Sequence, residues 1–231
     1  MRAIWLPEIK ASVEHVLTGE PHHHLVNVAR IEVQDELMLL DGKGLRAKTT
    51  VTAANKKEIR LQENSRELVE PRIVMDLALG IPKRDALELA LKQATELGFR
   101  RIYLIRAGFS QMKVPEFERM QKLLVSALEQ SNSPFMPEIL EKKWNEIPWD
   151  EYGLKLMMDS QTLESTKVAV DLSQPSLLLV GPEAGFASIE LSFLHARPGL
   201  EILNLPTPIL RTPTAVAAGA GCLLQRLIER R

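Results

Sequence analysis

Ser176-Leu177-Leu178-Leu179-Val180-Gly181-Pro182-Glu183-Ala184-Gly185 is the stretch that decides the fold. Its first five residues are nearly all apolar and read as a strand buried on both faces, the kind found in parallel sheets. Gly181 follows at once, so the glycine-bearing loop sits at the strand's carboxyl end, where open α/β folds bind ligands. Glycines there let backbone amides approach a ligand closely. A plain strand-to-helix turn is the competing reading. No Gly-Lys-Ser/Thr follows, which argues against a phosphate-binding P-loop.

Working outward from that loop, strands and helices alternate. Downstream, Ser188 is placed to cap a helix that Pro198-Gly199 ends, Glu201 to Leu205 reads as a strand, and Thr212-Pro213 opens a long helix rich in Ala, Gly and Leu. Between them lies a second irregular loop, Leu205 to Leu210. Arg211 precedes the expected cap Thr212, so its cation falls near the positive end of a helix dipole. That place is unfavourable without an anionic partner, although an arginine pairing on the surface is the plainer reading. Upstream, Ile73 to Leu79, Arg101 to Ile105, Lys155 to Met158 and Val168 to Asp171 read as strands. Lys83 to Leu97 reads as a helix with Leu87, Ala90, Leu91, Ala94 and Leu97 on one face and Gly98 as its stop. Pro115 to Glu129 reads as another helix. Ser131 to Tyr152, with three prolines and two tryptophans, reads as an irregular connection, either a lid or a packed loop. The expectation is an α/β domain over residues 73–231.

Before Arg72 the pattern differs. Arg30 to Val33, Glu36 to Leu40, Lys48 to Ala53 and Glu58 to Gln62 are short β-prone runs, and Asp41-Gly42-Lys43-Gly44 between two of them is a hairpin signal. Residues 1–72 are expected to form a small barrel or sandwich. A chain of 231 residues accommodates two such domains, and 45% hydrophobic with 26% charged residues is ordinary globular composition.

The formal net charge of -1 argues against non-specific coating of nucleic acid, so an RNA partner would have to meet a local patch. One exists between Lys43 and Arg60, where six basic residues stand against the single acid Glu58. A solvated face is the competing account. The run His22-His23-His24 invites a metal reading, but consecutive histidines in an extended segment point to opposite faces, and no acid or cysteine stands at ligand spacing. No metal is expected. Cys222 is the sole cysteine, which rules out an internal disulfide and fits a reducing cytosol. It reads as a small core residue. Glu88 and Glu96 read as solvent-facing. No run approaches the roughly 18 apolar residues of a membrane span, so a soluble cytoplasmic protein is expected.

Taken in order, His23-His24-Leu25-Val26-Asn27-Val28, Asp41-Gly42-Lys43-Gly44, Lys92-Gln93-Ala94-Thr95-Glu96-Leu97-Gly98, Glu129-Gln130-Ser131, Gly181-Pro182-Glu183 and Ile209-Leu210-Arg211-Thr212 resemble one family. It is that of the 16S ribosomal RNA uridine-N3 methyltransferases, RsmE-type members of the SPOUT superfamily, and the likeness spans nearly the whole chain. The resemblance implies a PUA-like β-barrel that helps hold RNA, followed by an α/β domain with a deep trefoil knot, working as a homodimer. It implies S-adenosylmethionine as methyl donor, wrapped by Val180, Gly181, Pro182, Glu183 and Gly185 on one loop and by Leu205, Ile209, Leu210 and Thr212 on the other. It implies Arg211 beside the methyl acceptor and ribosomal RNA, within the small subunit, against His23, His24, Arg30, Lys43 and Arg46. The proton acceptor is left open among Glu183, water and the partner subunit. The chain departs from the family at Ala184, Pro206 and Pro213, and by Asn132 and its successors, where the family tends to carry an arginine. A catalytically silent RNA-binding or ribosome-assembly protein, or a methyltransferase for another base, would share the scaffold.

Overall fold

A computed structural model describes residues 1–23, 25–26, 30–110, 114, 116–161, 165–166 and 173–229. The chain divides into two compact units, Met1–Pro71 with Val125–Met136, and Arg72–Leu124 with Pro137–Arg231.

The first unit is a five-stranded sheet of order β1-β3-β4-β5-β2, comprising β1 (Arg2–Trp5), β2 (Glu14–Leu17), β3 (Glu36–Leu40), β4 (Leu45–Ala54) and β5 (Ile59–Leu68). Among the described residues the β1–β3 pairing is parallel and the other three are antiparallel. Alternating positions, Leu37 and Leu39 on β3 and Ile59 and Leu61 on β5, turn inward with Ile4, Leu17, Leu25 and Val51 to form its core. The β3–β4 hairpin falls where expected. Its four-residue loop has Gly42 and Gly44 at positive φ, 79° and 115°, and the Asp41 carboxylate accepts the Lys43 and Leu45 backbone N–H groups at 2.7 and 2.9 Å. Segment 132–136 closes onto this loop: the Gly44 N–H donates to the Pro134 carbonyl and the Met136 N–H to that of Gly42.

Two expectations fail here. Arg30 to Val33 is no strand, because Arg30 sits at φ 50° and a turn begins at Val33. His22 and His23 are not extended but lie in the last turn of a short helix, α1 (Gly19–His23), which starts at Gly19 with φ 68°. His22 Nε2 meets the Asn55 carbonyl oxygen at 2.8 Å.

The second unit is a wholly parallel six-stranded sheet of order β11-β9-β10-β6-β7-β8, built from β6 (Met75–Gly80), β7 (Arg101–Ile105), β8 (Glu138–Lys142), β9 (Leu154–Met158), β10 (Ser176–Val180) and β11 (Leu200–Leu203). Every residue of β6 and β10 is buried, as the apolar run at 176–180 predicts. One face packs Leu177, Leu179, Ala78, Tyr103 and Met157 against Leu194, Ile147 and Trp149. Over the opposite face lies α5 (Thr212–Glu229), against β9 and β10, and α2 (Arg84–Glu96) packs on α5. Two further α-helices among the described residues are α3 (Phe117–Ser131) and α4 (Ser188–His195). Gly98, at φ 79°, ends α2 as expected.

The stretch 131–152 is more ordered than an irregular connection: it contains β8 and two short 3-10 turns, with Ile147, Trp149 and Tyr152 buried. The cap assignments shift by one residue. Ala187 precedes α4, and its N–H is satisfied by the Glu190 carboxylate at 2.8 Å, not by Ser188. Arg211 precedes α5 and its carbonyl accepts the Ala215 N–H at 2.9 Å, so Arg211, not Thr212, holds the cap position. The strand expected at Val168 to Asp171 and the helix start at Pro115 lie outside the described residues.

The small residues of α5 let it approach the sheet. A Cβ on Gly219 would lie 2.8 Å from Leu178 Cδ1 and 2.9 Å from Met158 Sδ. Gly219→Val is expected to lower unfolding stability by about 1–3 kcal/mol through overpacking, read as a lower urea midpoint. An unchanged midpoint would mean that α5 moves away freely.

Candidate functional site

Because all six strands run in parallel, their carboxyl ends lie along one rim, and there the loops after β9, β10 and β11 enclose a cleft of about 250 Å³. Val180, Gly181, Pro182, Glu183 and Gly185 line it from the loop after β10, and Leu205, Ile209, Leu210 and Thr212 from the segment entering α5. The structure thus brings together two stretches far apart in sequence.

The first loop is held in shape by short contacts. Gly185, at φ 75°, donates its N–H to the Pro182 carbonyl at 2.9 Å, closing a turn. A Cβ on Gly181 would lie 3.2 Å from Gly185 Cα, so the loop folds back tightly on a residue that carries no side chain. Thr212 is buried, and its hydroxyl reaches toward the Gly181 carbonyl at 3.4 Å, linking the start of α5 to the loop. The Glu183 carboxylate accepts the Lys83 backbone N–H at 2.9 Å.

Sequence reasoning missed a third wall. Met158, Asp159, Ser160 and Gln161 line the cleft at the end of β9, the Asp159 N–H donating to the Leu203 carbonyl at 3.2 Å and its carboxylate accepting the Gln161 N–H at 2.9 Å. Phe186 also lines the cleft. Its ring meets Trp144 edge-on at 5.6 Å, and the Trp144 indole N–H donates to Glu190 at 2.7 Å. Buried Glu190 also accepts the Gly108 N–H at 3.1 Å, so one carboxylate fixes this wall to the loop after β7.

Arg211 is exposed and is flanked in the chain by Leu210 and Thr212, both of which line the cleft. Among the described residues its guanidinium has no hydrogen bond or ion pair. A cation with no counter-charge among the described residues, at the amino end of an 18-residue helix, is poised for an anion.

Of the residues matched to RNA contact, His23, Arg30 and Lys43 are exposed on the first unit, and His24 lies outside the described residues. Arg46 is half-buried, donating to the Asn132 carbonyl at 2.9 Å and pairing with Glu67 at 3.5 Å. The basic stretch 43–60 is partly neutralised, since Lys48 pairs with Glu36 and Arg60 with Glu58, each at 2.8 Å. These exposed pairs are weak and can be displaced. Among the described residues no group of three His, Cys, Asp or Glu could hold a metal, and no helix is long and apolar enough to cross a membrane.

A parallel sheet with a loop-walled cleft at its carboxyl rim, in a chain that also carries a small β unit, defines an α/β ligand-binding protein with an appended second unit. A family model described as an RNA methyltransferase domain matches residues 69–224, and one described as an RNA methyltransferase PUA domain matches residues 17–64. The chain belongs to this RNA methyltransferase family, its first unit PUA-like and its second of the SPOUT-like parallel-sheet type. It is 30% identical over 210 residues to the ribosomal RNA small subunit methyltransferase E of Rickettsia conorii, covering 86% of this chain and 84% of the relative. It is 29% identical over 232 residues to the Bacillus subtilis protein of the same name, covering 90% and 88%. The crystal structure of a ribosomal RNA small subunit methyltransferase E from Neisseria gonorrhoeae, bound to S-adenosyl methionine, has the same fold, with a TM-score of 0.85, 24% identity and 98% of each chain covered.

Proposed function

We propose that this chain transfers the methyl group of S-adenosylmethionine to a uridine N3 of small-subunit ribosomal RNA. The carrying observation is the cleft itself: in a chain of the RNA methyltransferase family, a glycine-bearing loop and a separate proline-bearing segment converge on one rim beside Arg211, whose guanidinium has no partner among the described residues. In this reading residues 1–72 present the RNA and residues 73–231 the chemistry, in a cytoplasmic homodimer with the 181–185 and 205–212 segments forming part of a trefoil knot.

The cleft's features suit such a ligand. Apolar Leu205, Ile209, Leu210 and Phe186 offer surface to a flat base, while the tight 181–185 and 205–208 turns leave backbone groups near the cavity. When bound, S-adenosylmethionine supplies an electrophilic methyl on a sulfonium. Uracil N3 carries a proton, so its attack needs that proton removed and the resulting charge over O2 and O4 stabilised. Arg211 supplies the stabilising cation. Exposed His23, Arg30 and Lys43, with Arg46 once released from Glu67, hold phosphates.

Methyl transfer from labelled S-adenosylmethionine to small ribosomal subunits from cells lacking this protein, followed by nucleoside analysis, tests the reading. One N3-methyluridine per subunit is expected. Bound cofactor without incorporation would leave the silent RNA-binding alternative, and a different modified nucleoside would move the target base. Separately, Gly181→Val is expected to weaken cofactor binding at least tenfold by calorimetry with the circular dichroism spectrum retained, because the added side chain collides with Gly185. Unaltered affinity would move the cofactor out of this cleft.

A further inference from the structure

Helix α2 starts without a cap of its own. Lys83 occupies the cap position at φ -59° and ψ 155° and makes no side-chain cap hydrogen bond. Helices often satisfy the N–H of that position with an acid three residues on, but here that residue is Ala86. Glu183 takes over the task from the loop after β10, its Oε1 accepting the Lys83 N–H at 2.9 Å. Its negative charge also suits the amino end of the helix. A second contact seats the same loop: a Cβ on Gly80 would lie 2.5 Å from Pro182 Cδ and 3.0 Å from Pro182 N, so Pro182 rests directly on the end of β6. Pro182 and Glu183 therefore fasten the cleft loop to the β6–α2 turn, one by shape and one by hydrogen bonding. The close approach of Gly181 to Gly185 and the Gly185 N–H to Pro182 carbonyl hydrogen bond complete a loop held by contacts of its own chain.

We infer that Glu183 is a positioning residue, latching the 181–185 loop to the Lys83 backbone N–H so that the loop keeps its ligand-binding shape, and that it is not the group that takes the uracil proton. This inference rests on the cofactor reading above. It makes affinity for the methyl donor depend on Lys83, which does not line the cleft.

The test is a double-mutant cycle in the full chain. Glu183→Ala removes the acceptor, and Lys83→Pro removes the donor at a residue whose φ already matches the proline value. Each is expected to raise the S-adenosylmethionine Kd about five- to tenfold, the scale of a lost cap contact. The double variant should be no worse than the weaker-binding single variant. Glu183→Gln, which keeps a carbonyl acceptor, should recover most of the affinity lost in Glu183→Ala. At saturating donor the acidic limb of the kcat–pH profile should persist in Glu183→Ala. In the ligand-free protein the Lys83 amide should exchange hydrogen faster in Glu183→Ala than in wild type. Additive losses in the cycle, or a Glu183→Gln variant that binds donor normally but loses turnover and the acidic limb, would overturn the inference and make Glu183 a base. Should the wild-type chain bind no S-adenosylmethionine, the cofactor reading falls, while unchanged exchange at Lys83 would by itself refute the latch.

Discussion

Arg211→Ala is expected to lower turnover by about 100-fold or more while changing donor affinity only a few-fold. The size follows from removing a preorganised charge that is useful chiefly when the acceptor base is anionic. Holding a cation at the amino end of α5 works against the helix dipole. That cost is offset only when negative charge develops nearby, which is the differential stabilisation that speeds a reaction. Single-turnover methyl transfer, with donor affinity measured by calorimetry, separates the two quantities. Equal losses in both would reassign Arg211 to binding.

Asp76→Ala is expected to destabilise the second unit by about 3 kcal/mol. Asp76 is fully buried within the otherwise apolar β6, and it accepts from Arg100 Nε and Nη2 at 3.0 and 2.6 Å, from the Arg101 N–H at 3.1 Å and from the Tyr152 hydroxyl at 2.7 Å. Tyr152 also meets Tyr103 at 2.9 Å. Burial pushes the Tyr152 phenol far above its ordinary range, so it remains a donor, and the hydrogen bond to Asp76 holds Arg100 above the usual guanidinium value. Deleting one partner from such a cluster leaves the others desolvated and unpaired. The side chain of Arg100 is 39% exposed, which lets water relieve part of that loss and keeps the figure at the lower end of the range for broken buried pairs. Urea denaturation measures it. Asp76 pairs in register with Arg101 and Leu177, at the amino end of the sheet, whereas the cleft lies at the carboxyl rim. Donor binding by the folded variant should therefore persist. A loss below about 1 kcal/mol would mean that solvent already supports the cluster.

Much of the second unit was legible because burial on both faces leaves a dense apolar signature. Strands 101–105 and 176–180 begin and end where the sequence places them, and the stripe Leu87, Ala90, Leu91 and Ala94 identifies the buried face of α2. Edge elements lack that signature. β8 reads Glu-Ile-Leu-Glu-Lys with no fully buried residue, and β1 and β2 have four residues each. Run composition alone misreads Arg30 to Val33, where a positive φ at Arg30 prevents an extended strand. The caps slip by one because Ser188 and Thr212 have capping chemistry, yet their neighbours take the cap geometry and Thr212 turns to the Gly181 carbonyl instead.

At the cleft, glycines and prolines after strands mark two walls, since both residue types punctuate chain direction. The third wall, Met158 to Gln161, carries no such mark. It joins the site only because β9 pairs directly with β10, a fact of strand order that local sequence does not hold. The hydrogen bond between Glu183 and Lys83 is similarly non-local and follows from β6 and β10 being neighbours.

The grouping of Val125–Met136 with Met1–Pro71 has a consequence for synthesis on the ribosome. A nascent chain that has only just passed Pro71 still lacks the Pro134 carbonyl for Gly44, the Asn132 carbonyl for Arg46 and the Glu129 carboxylate that accepts the Trp5 N–H. The amino-terminal unit therefore begins to form early but finishes only after more than half the polypeptide has been made. Meanwhile β7 finds both its neighbours, β6 and β8, early, but β6 must wait for β10, its second edge exposed until that strand emerges, which makes the interval before residue 180 the stage at which this chain most needs protection from aggregation.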